Sequence, residues 1–273
     1  MQLKFVKMHG LGNDFMLVDW PQGQPLPASD LVQQWGDRRQ GVGFDSLLLL
    51  ERSSDAVSYR VFNADGGEAQ QCGNGARCIA RYVADNSEDA ERVWRLGFPG
   101  GVVDARIQAD GDVAVMMAEP DFSPASLPFI AAQASNSYSV DVAGEPVQLS
   151  VVSMGNPHAV IEVDSVDSAP VGILGEALAT HQVFPQGVNV GFVERESESR
   201  VRLRVYERGI GETRACGTGA AAAMAVGRRR GQLAETVEVS LPGGSLTVVW
   251  PGPGSSLWQS GQTTKVYEGL IEL

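Results

Sequence analysis

Cys72 and Cys216 are the residues around which chemistry in this chain would be built. In Gln71-Cys72-Gly73-Asn74-Gly75-Ala76-Arg77-Cys78 and in Ala215-Cys216-Gly217-Thr218-Gly219-Ala220, a thiol is followed by Gly-X-Gly and then by small apolar residues. That order reads as a strand end, a tight turn and a helix whose first amides surround the sulfur. A helix N-terminus is expected to lower a thiol's pKa from about 8.5 towards neutrality, because amides and dipole favour the thiolate. The same amides, on Gly73, Asn74, Gly217 and Thr218, suit a substrate carboxylate. Glycine after each Cys keeps side chains clear of that anion. The third cysteine, Cys78, lies inside the apolar run and reads as a small buried hydrophobe.

Two symmetric thiols with a carboxylate between them suit inversion at the carbon next to that carboxylate. One sulfur, as thiolate, removes the α-proton from one face. The other, as thiol, delivers a proton to the opposite face, and reversal exchanges the roles. No lysine lies in a motif suited to pyridoxal phosphate, so no cofactor is expected. The acidity must then come from amides that stabilise the growing enediolate and from exclusion of water as two domains close.

The elements that position the thiols are duplicated. Cys216 follows Cys72 by 216 − 72 = 144 residues, and Tyr59–Ala76 aligns without gaps on Leu203–Ala220 with eight identities in 18 positions. Gly12-Asn13-Asp14-Phe15 keeps step with Gly155-Asn156-Pro157-His158, and Pro99-Gly100-Gly101 with Pro242-Gly243-Gly244. The expected fold class is α+β: two pseudo-symmetric domains, each a curled, mostly antiparallel sheet around a central buried helix. The expected domains are 1–118, rejoined by a returning strand at 263–273, and 119–262, with the active site in the cleft between them.

Alternation in Val57-Ser58-Tyr59-Arg60-Val61 and Val201-Arg202-Leu203-Arg204-Val205 marks half-buried strands. Further strands are expected at 2–7, 15–19, 46–50, 102–107, 113–118, 147–152, 159–163, 188–193, 236–240, 245–250 and 264–271. Gly219–Val226 has no polar face, and Ala76–Ala84 has only Arg77 and Arg81 on one stripe, so both helices must be buried. Arg228-Arg229-Arg230-Gly231 suits a helix end. Other helices are expected at 29–39, capped by Ser29 or Asp30, and at 87–95 and 172–181.

The composition narrows the partners. The 273 residues carry a net charge of −12, which disfavours nucleic acid and anionic membrane. MQLKFVKMHG lacks the apolar core of a signal peptide, and no apolar run approaches the ~18 residues of a membrane span. A cytoplasmic protein is expected, in a compartment that keeps three thiols reduced. With His9, His158 and His181 as its three histidines, and Cys72 and Cys78 six apart, no metal site is expected.

Six stretches together resemble the diaminopimelate epimerase family over essentially the whole chain. They are KMHGLGNDF (7–15), FNADGGEAQQCGNGARC (62–78), VSMGNPH (152–158), GVNVGF (187–192), RVYERGIGETRACGTGA (204–220) and LPGGSL (241–246). The resemblance implies conversion of LL-2,6-diaminopimelate to the meso isomer without pyridoxal phosphate, in lysine and cell-wall precursor synthesis. It implies that Cys72 and Cys216 are the acid/base pair and that His158 and Glu207 support catalysis. Gly73, Asn74, Gly217 and Thr218 would bind carboxylate. Asn13, Asn63, Asn156 and Asn189 would contact substrate, and Glu207 and Arg208 would meet its amino and carboxylate groups.

One departure stands at Ser46, where the family commonly has glutamine. The shorter serine is expected to reach substrate through water. Tyr267 matches a tyrosine near a dimer contact, so a homodimer is implied. Proline racemase shares the two-cysteine logic, but its one-headed substrate would not need Asn13, Asn156, Asn189 and Arg208 together. A non-catalytic amino-acid binder would need neither reactive thiol.

Overall fold

Four consecutive leucines, Leu47–Leu50, explain the layering of the first half of the chain. All four are fully buried, yet in a strand successive side chains point to opposite faces. Both faces of this strand must therefore be covered. Leu48 and Leu50 join one apolar cluster with Ala76, Ile79, Ala80 and Val83, while Leu47 and Leu49 join another with Val32 and Trp35. Two helices thus sandwich the strand.

The computed structural model describes residues 1–52, 57–69, 72–87, 93–131 and 133–273. The chain divides into two compact units, Met1–Met116 with Ser260–Leu273, and Met117–Gln259. Strands and helices are numbered in chain order.

The first unit contains β1 (Gln2–Gly10), β2 (Asn13–Asp19), α1 (Ser29–Gly36), β3 (Ser46–Arg52), β4 (Val57–Asn63), β5 (Glu68–Ala69), α2 (Gly73–Asp85), β6 (Trp94–Phe98), β7 (Gly101–Ile107), β8 (Val113–Met117) and β18 (Thr264–Glu272). Antiparallel pairing joins β18 to β1, β1 to β2, β3 to β4, β4 to β5, β6 to β7 and β7 to β8. β2–β3 and β4–β6 are parallel. A parallel pair needs a crossover connection, and here the two crossovers carry α1 and α2. α2 packs against β1, β2, β3, β6 and β7, so the sheet curls around it.

The second unit repeats this plan. It contains β9 (Tyr138–Val142), β10 (Glu145–Ser153), β11 (Pro157–Glu162), α3 (Val171–Ala179), β12 (Asn189–Arg195), β13 (Arg200–Glu207), β14 (Gly211–Thr213), α4 (Gly217–Arg229), β15 (Thr236–Leu241), β16 (Gly244–Val249) and β17 (Leu257–Gly261). Its parallel pairs are β11–β12, whose crossover carries α3, and β13–β15, whose crossover carries α4. All of α4 from Gly219 to Gly227 is buried, as its lack of a polar face requires. The helix stops at Arg230 and Gly231, whose φ of 71° a glycine adopts without strain. Among the described residues, no helix is long and apolar enough to cross a membrane.

Several elements differ from expectation. The helix expected over 29–39 ends at Gly36, because the Asp37 carboxylate accepts from the amides of Arg39 and Gln40 and holds a turn. Its cap is Ala28, not Ser29 or Asp30, with no side-chain bond. The helix expected over 172–181 ends at Ala179. Of the helix expected over 87–95, residues 88–92 lie outside the described residues, and Trp94 and Arg95 belong to β6. Of the Arg77–Arg81 stripe, Arg77 does not face water at all, being 0% exposed, while Arg81 is partly exposed and pairs with Asp85. Strands β5, β6, β9, β14 and β17 were not expected. β5 and β14 span only two and three residues, too few for an alternation to register.

Candidate active site

Each thiol is the residue ahead of a helix. Cys72 precedes α2 with φ −138° and ψ 114°, and Cys216 precedes α4 with φ −114° and ψ 104°. The first helical hydrogen bonds run from Ala76 N to Cys72 O at 2.8 Å and from Ala220 N to Cys216 O at 3.0 Å. The amides of Gly73–Gly75 and Gly217–Gly219 therefore stand ahead of the helical ladder, where helix ends collect anions. The second glycine of each motif serves close packing. A Cβ at Gly219 would lie 2.9 Å from Val205 Cγ2 and 3.3 Å from the Cys216 sulfur.

In the first unit, Asn13, Cys72 and Asn74 come together. The β1–β2 turn is made by Leu11 and Gly12, both at positive φ, and Asn13 pairs with Gly10 across it. Asn13 is therefore no turn former; it opens β2 with its side chain free for other work. Its Oδ1 accepts from Asn74 Nδ2 at 3.2 Å and from Cys72 Sγ at 3.6 Å. Ser46 and Asn63 are strand partners across β3–β4, with Ser46 Oγ donating to Asn63 Oδ1 at 3.5 Å. Ser46 is nearly buried, at 7% exposed.

In the second unit, Asn156, His158, Asn189, Glu207, Arg208, Cys216 and Thr218 are drawn into neighbouring contacts. His158 Nε2 meets Asn156 Oδ1 at 3.0 Å, Asn156 Nδ2 donates to Thr218 Oγ1 at 3.4 Å, and Thr218 Oγ1 lies 3.6 Å from Cys216 Sγ. With an amide oxygen as its partner, His158 Nε2 carries the proton. Asn189 Oδ1 accepts from the Arg208 amide at 2.9 Å. Glu207 accepts from Thr213 Oγ1 at 2.5 Å, and its carboxylate is a charged neighbour of the Cys216 thiol. Arg208 donates to Gln186 O at 2.5 Å and, among the described residues, has no ion pair. Glu212, a candidate partner by sequence, is taken by Arg204 at 2.7 Å.

Electrostatics treat Cys216 differently from the sequence expectation. Burial, and then the Glu207 carboxylate, push its thiol well above the ordinary value, against the Thr218 hydroxyl and the Gly219 amide. The helix end does not win, because Cys216 is only 4% exposed and faces a like charge when ionised. His158 is pushed down to about 3 by burial and by Arg208, so the imidazole is neutral at physiological pH. Burial raises Cys78 to about 12. Tyr267 lies on β18, 44% exposed, with its ring edge-on to Phe5 at 5.9 Å.

A sequence model of the family described as Diaminopimelate epimerase matches residues 5–123 and 150–266, most of both units. The chain belongs to the diaminopimelate epimerase family. Its similarity to individual family members runs end to end. It is 49% identical to the diaminopimelate epimerase of Ectopseudomonas mendocina and 48% identical to that of Pseudomonas aeruginosa strain UCBPP-PA14, each over 100% of both chains. The fold also resembles solved structures at much lower identity. A hydroxyproline epimerase from Agrobacterium vitis superposes with a TM-score of 0.70 at 17% identity, over 99% of this chain and 92% of that one. A phenazine biosynthesis PhzC/PhzF protein from Clostridium difficile gives 0.73 at 12% identity, over 99% and 100%. The duplicated, sheet-dominated plan with few helices is thus shared well beyond the diaminopimelate epimerase family.

Sequence reasoning missed residues that hold this family's motifs in place. Gln259, 0% exposed, donates to Gly217 O at 2.7 Å. Thr213 anchors Glu207, and Asp45 accepts from Asn13 Nδ2 at 2.9 Å. Asp45 stands next to Ser46, the position compared with the family's glutamine, which was its one available signal.

Proposed function

We propose that this chain interconverts LL-2,6-diaminopimelate and the meso isomer without pyridoxal phosphate, in lysine and peptidoglycan precursor synthesis. The observation that carries the reading is the repeated placement of a thiol immediately ahead of a buried helix, at equivalent points of two like units, in a chain of this family.

In this reading the two thiols face each other across the substrate, in a cleft between domains 1–118 with 263–273 and 119–262. The amides of Gly73, Asn74, Gly217 and Thr218 hold the carboxylate at the reacting carbon. A thiolate sulfur takes the α-proton, and the C–H electron pair passes into the carboxylate as an enediolate. The opposite thiol gives its proton to the other face of the carbon, and the sulfurs end with their states exchanged. The raised pKa of Cys216 supports a resting state in which it is the thiol. Glu207 is then the negative neighbour that keeps Cys216 protonated, and neutral His158 orients Asn156 rather than transferring a proton. Asn13, Ser46, Asn63, Asn156, Asn189, Glu207 and Arg208 recognise the substrate's two amino-acid ends. Arg208, with no ion pair among the described residues, suits a carboxylate.

A cytoplasmic homodimer with Tyr267 at its contact belongs to the same reading. Exposed Val266, Tyr267 and Leu270 on β18 support it. The test is incubation with LL-diaminopimelate in deuterated water. Meso product carrying α-deuterium is expected; substrate recovered with its α-proton in place would overturn the reading.

A further inference from the structure

The amides of Asn74 and Asn13 form a chain whose direction is fixed from both ends. At one end Arg77, buried in α2, donates to Asn74 Oδ1. Asn74 therefore turns its Nδ2 outward, to Asn13 Oδ1 at 3.2 Å. At the other end Asn13 Nδ2 donates to Asp45 Oδ2 at 2.9 Å. An amide's orientation is read from its partners. A guanidinium offers only donors and a carboxylate only acceptors, so neither amide can flip without setting like against like.

Asp45 is itself held by more than its partly exposed ion pair. Arg38 reaches it at 2.7 Å and reaches Asp14 at 2.7 and 3.0 Å. Asp45 N donates to Asp14 O at 2.9 Å, and Asp14 N donates to Asp45 Oδ2 at 3.1 Å. Burial opposes the charge on Asp14, but Arg38 and Lys7 hold its carboxyl well below the usual range. The anchor is thus charged and tied to the backbone of β2.

We propose that Asp45 and Arg77 are positioning residues: they lock the Asn74 and Asn13 amides so that Asn13 presents its oxygen, not its nitrogen, to Cys72 Sγ at 3.6 Å. An oxygen there accepts from the thiol and repels the thiolate. The lock makes Cys72 a more reluctant acid and, once ionised, a stronger base for an α-proton. Among the described residues, titratable groups that couple to Cys72 include Tyr59 on β4 and Arg77 and Cys78 on α2. Burial keeps Tyr59 and Cys78 neutral, so they do not titrate with it near neutral pH. The second unit is built the other way. Asn156, at the place of Asn13, gives its oxygen to His158 and turns its nitrogen towards Thr218 beside Cys216.

The inference rests on the proposed role of Cys72, but its test needs no substrate and so fails separately from the epimerase reading. Alkylation by iodoacetamide is followed against pH in the full chain, with Cys72 and Cys216 quantified separately by peptide mass spectrometry. Asp45→Ala should move the Cys72 midpoint down by about 0.5–1 pH unit, as Asn13, then opposed only by the Asn74 amide, turns its N–H to the thiolate. Cys216 should keep its midpoint, which distinguishes release of the lock from general loosening. Asp45→Asn retains one acceptor oxygen and should stay closer to the parent. Asn13→Leu should reproduce the direction of the shift, and adding Asp45→Ala to it should shift Cys72 no further. An unchanged Cys72 midpoint in Asp45→Ala, an equal shift at Cys216, or additive shifts in the double variant would each overturn the proposal. If Asp45→Ala does not fold, Asn13→Leu decides alone: its Cys72 midpoint must fall.

Discussion

Glu207 and Asn63 occupy the same place in the two units, and only Glu207 bears a charge. Asn63 ends β4 and Glu207 ends β13, each nine positions before its thiol (72 − 63 = 216 − 207 = 9) along the repeat. Asn63 meets Ser46, whereas Glu207 meets Thr213 and the Cys216 thiol. Two thiols placed alike by the backbone thus have different neighbours: burial and then the Glu207 carboxylate raise Cys216, whereas Asn63 brings no charge to the first unit. Glu207→Gln should lower the pH at which Cys216 becomes reactive to iodoacetamide, because the carboxylate raises it. A Cys216 midpoint that stays put or rises would show that burial alone sets it.

Both thiols are required if proton removal and delivery occur from opposite faces. Cys72→Ala and Cys216→Ala should each abolish inversion while largely retaining substrate affinity, because in the proposed reading backbone amides hold the carboxylate. Epimerisation assays beside calorimetric titration separate the two effects. Retention of more than on the order of a few per cent of turnover in either variant would contradict two-base transfer, which leaves no second route for the proton.

Arg208→Met should weaken substrate binding roughly ten- to a hundredfold, the loss of one charge-assisted contact of about 1.5–3 kcal/mol. The guanidinium has no ion pair among the described residues, so little of that loss would come from an orphaned carboxylate. Unchanged affinity would make Arg208 a structural donor to Gln186 only.

His158 gives a stability prediction with a definite sign. Its folded pKa, about 3, lies below the ordinary 6.5. The unfolded chain therefore binds the extra proton between those values, and stability falls as pH drops from 6.5 towards 3. Asp14, held low by Arg38 and Lys7, acts in the same direction in more acidic solution. Urea unfolding at pH 7 and pH 5 should show a loss in the parent that is smaller by about 2 kcal/mol in His158→Gln. An identical acid loss in both proteins would mean that His158 titrates normally.

The repeat is what made the site legible. Eight identities between two stretches identify Cys72 and Cys216, and the glycine-asparagine echo finds Asn13 and Asn156. The buried helices follow from residues with no polar face. What could not be read were effects that depend on who stands beside whom. Burial of Cys216, and then Glu207 beside it, reverse the expected thiol shift. Arg77, expected on a polar stripe, is enclosed by strands far away in sequence. Trp94 and Arg95 fell to a strand because they pair with Ala105 and Asp104 of β7, while Leu96 and Gly97 beyond them pair with β4, a partner no local pattern announces.

Oxidation offers a further check on the proposed opposition of the thiols. Air-exposed protein should lose activity through a Cys72–Cys216 disulfide, recover it with dithiothreitol, and be protected by substrate. Cys78, 0% exposed with its pKa raised to about 12, should remain reduced. Non-reducing peptide maps decide: inactive protein with both thiols free, or with Cys78 as a partner, would contradict the facing arrangement.

The pairing of β1 with β18 has a consequence for how the protein is made. Lys7 lies opposite Tyr267, so partners in this ladder are separated by 267 − 7 = 260 residues. On the ribosome, β1 emerges first and waits while the whole of Met117–Gln259 is synthesised. That later-encoded unit has every one of its own residues before the earlier one does, and can complete its fold first. Meanwhile β1 presents an unpaired backbone edge, the kind of surface that recruits foreign strands. Slow passage through the codons for residues 117–259 would lengthen that wait, whereas chaperone cover of the nascent β1 edge would shorten its exposure.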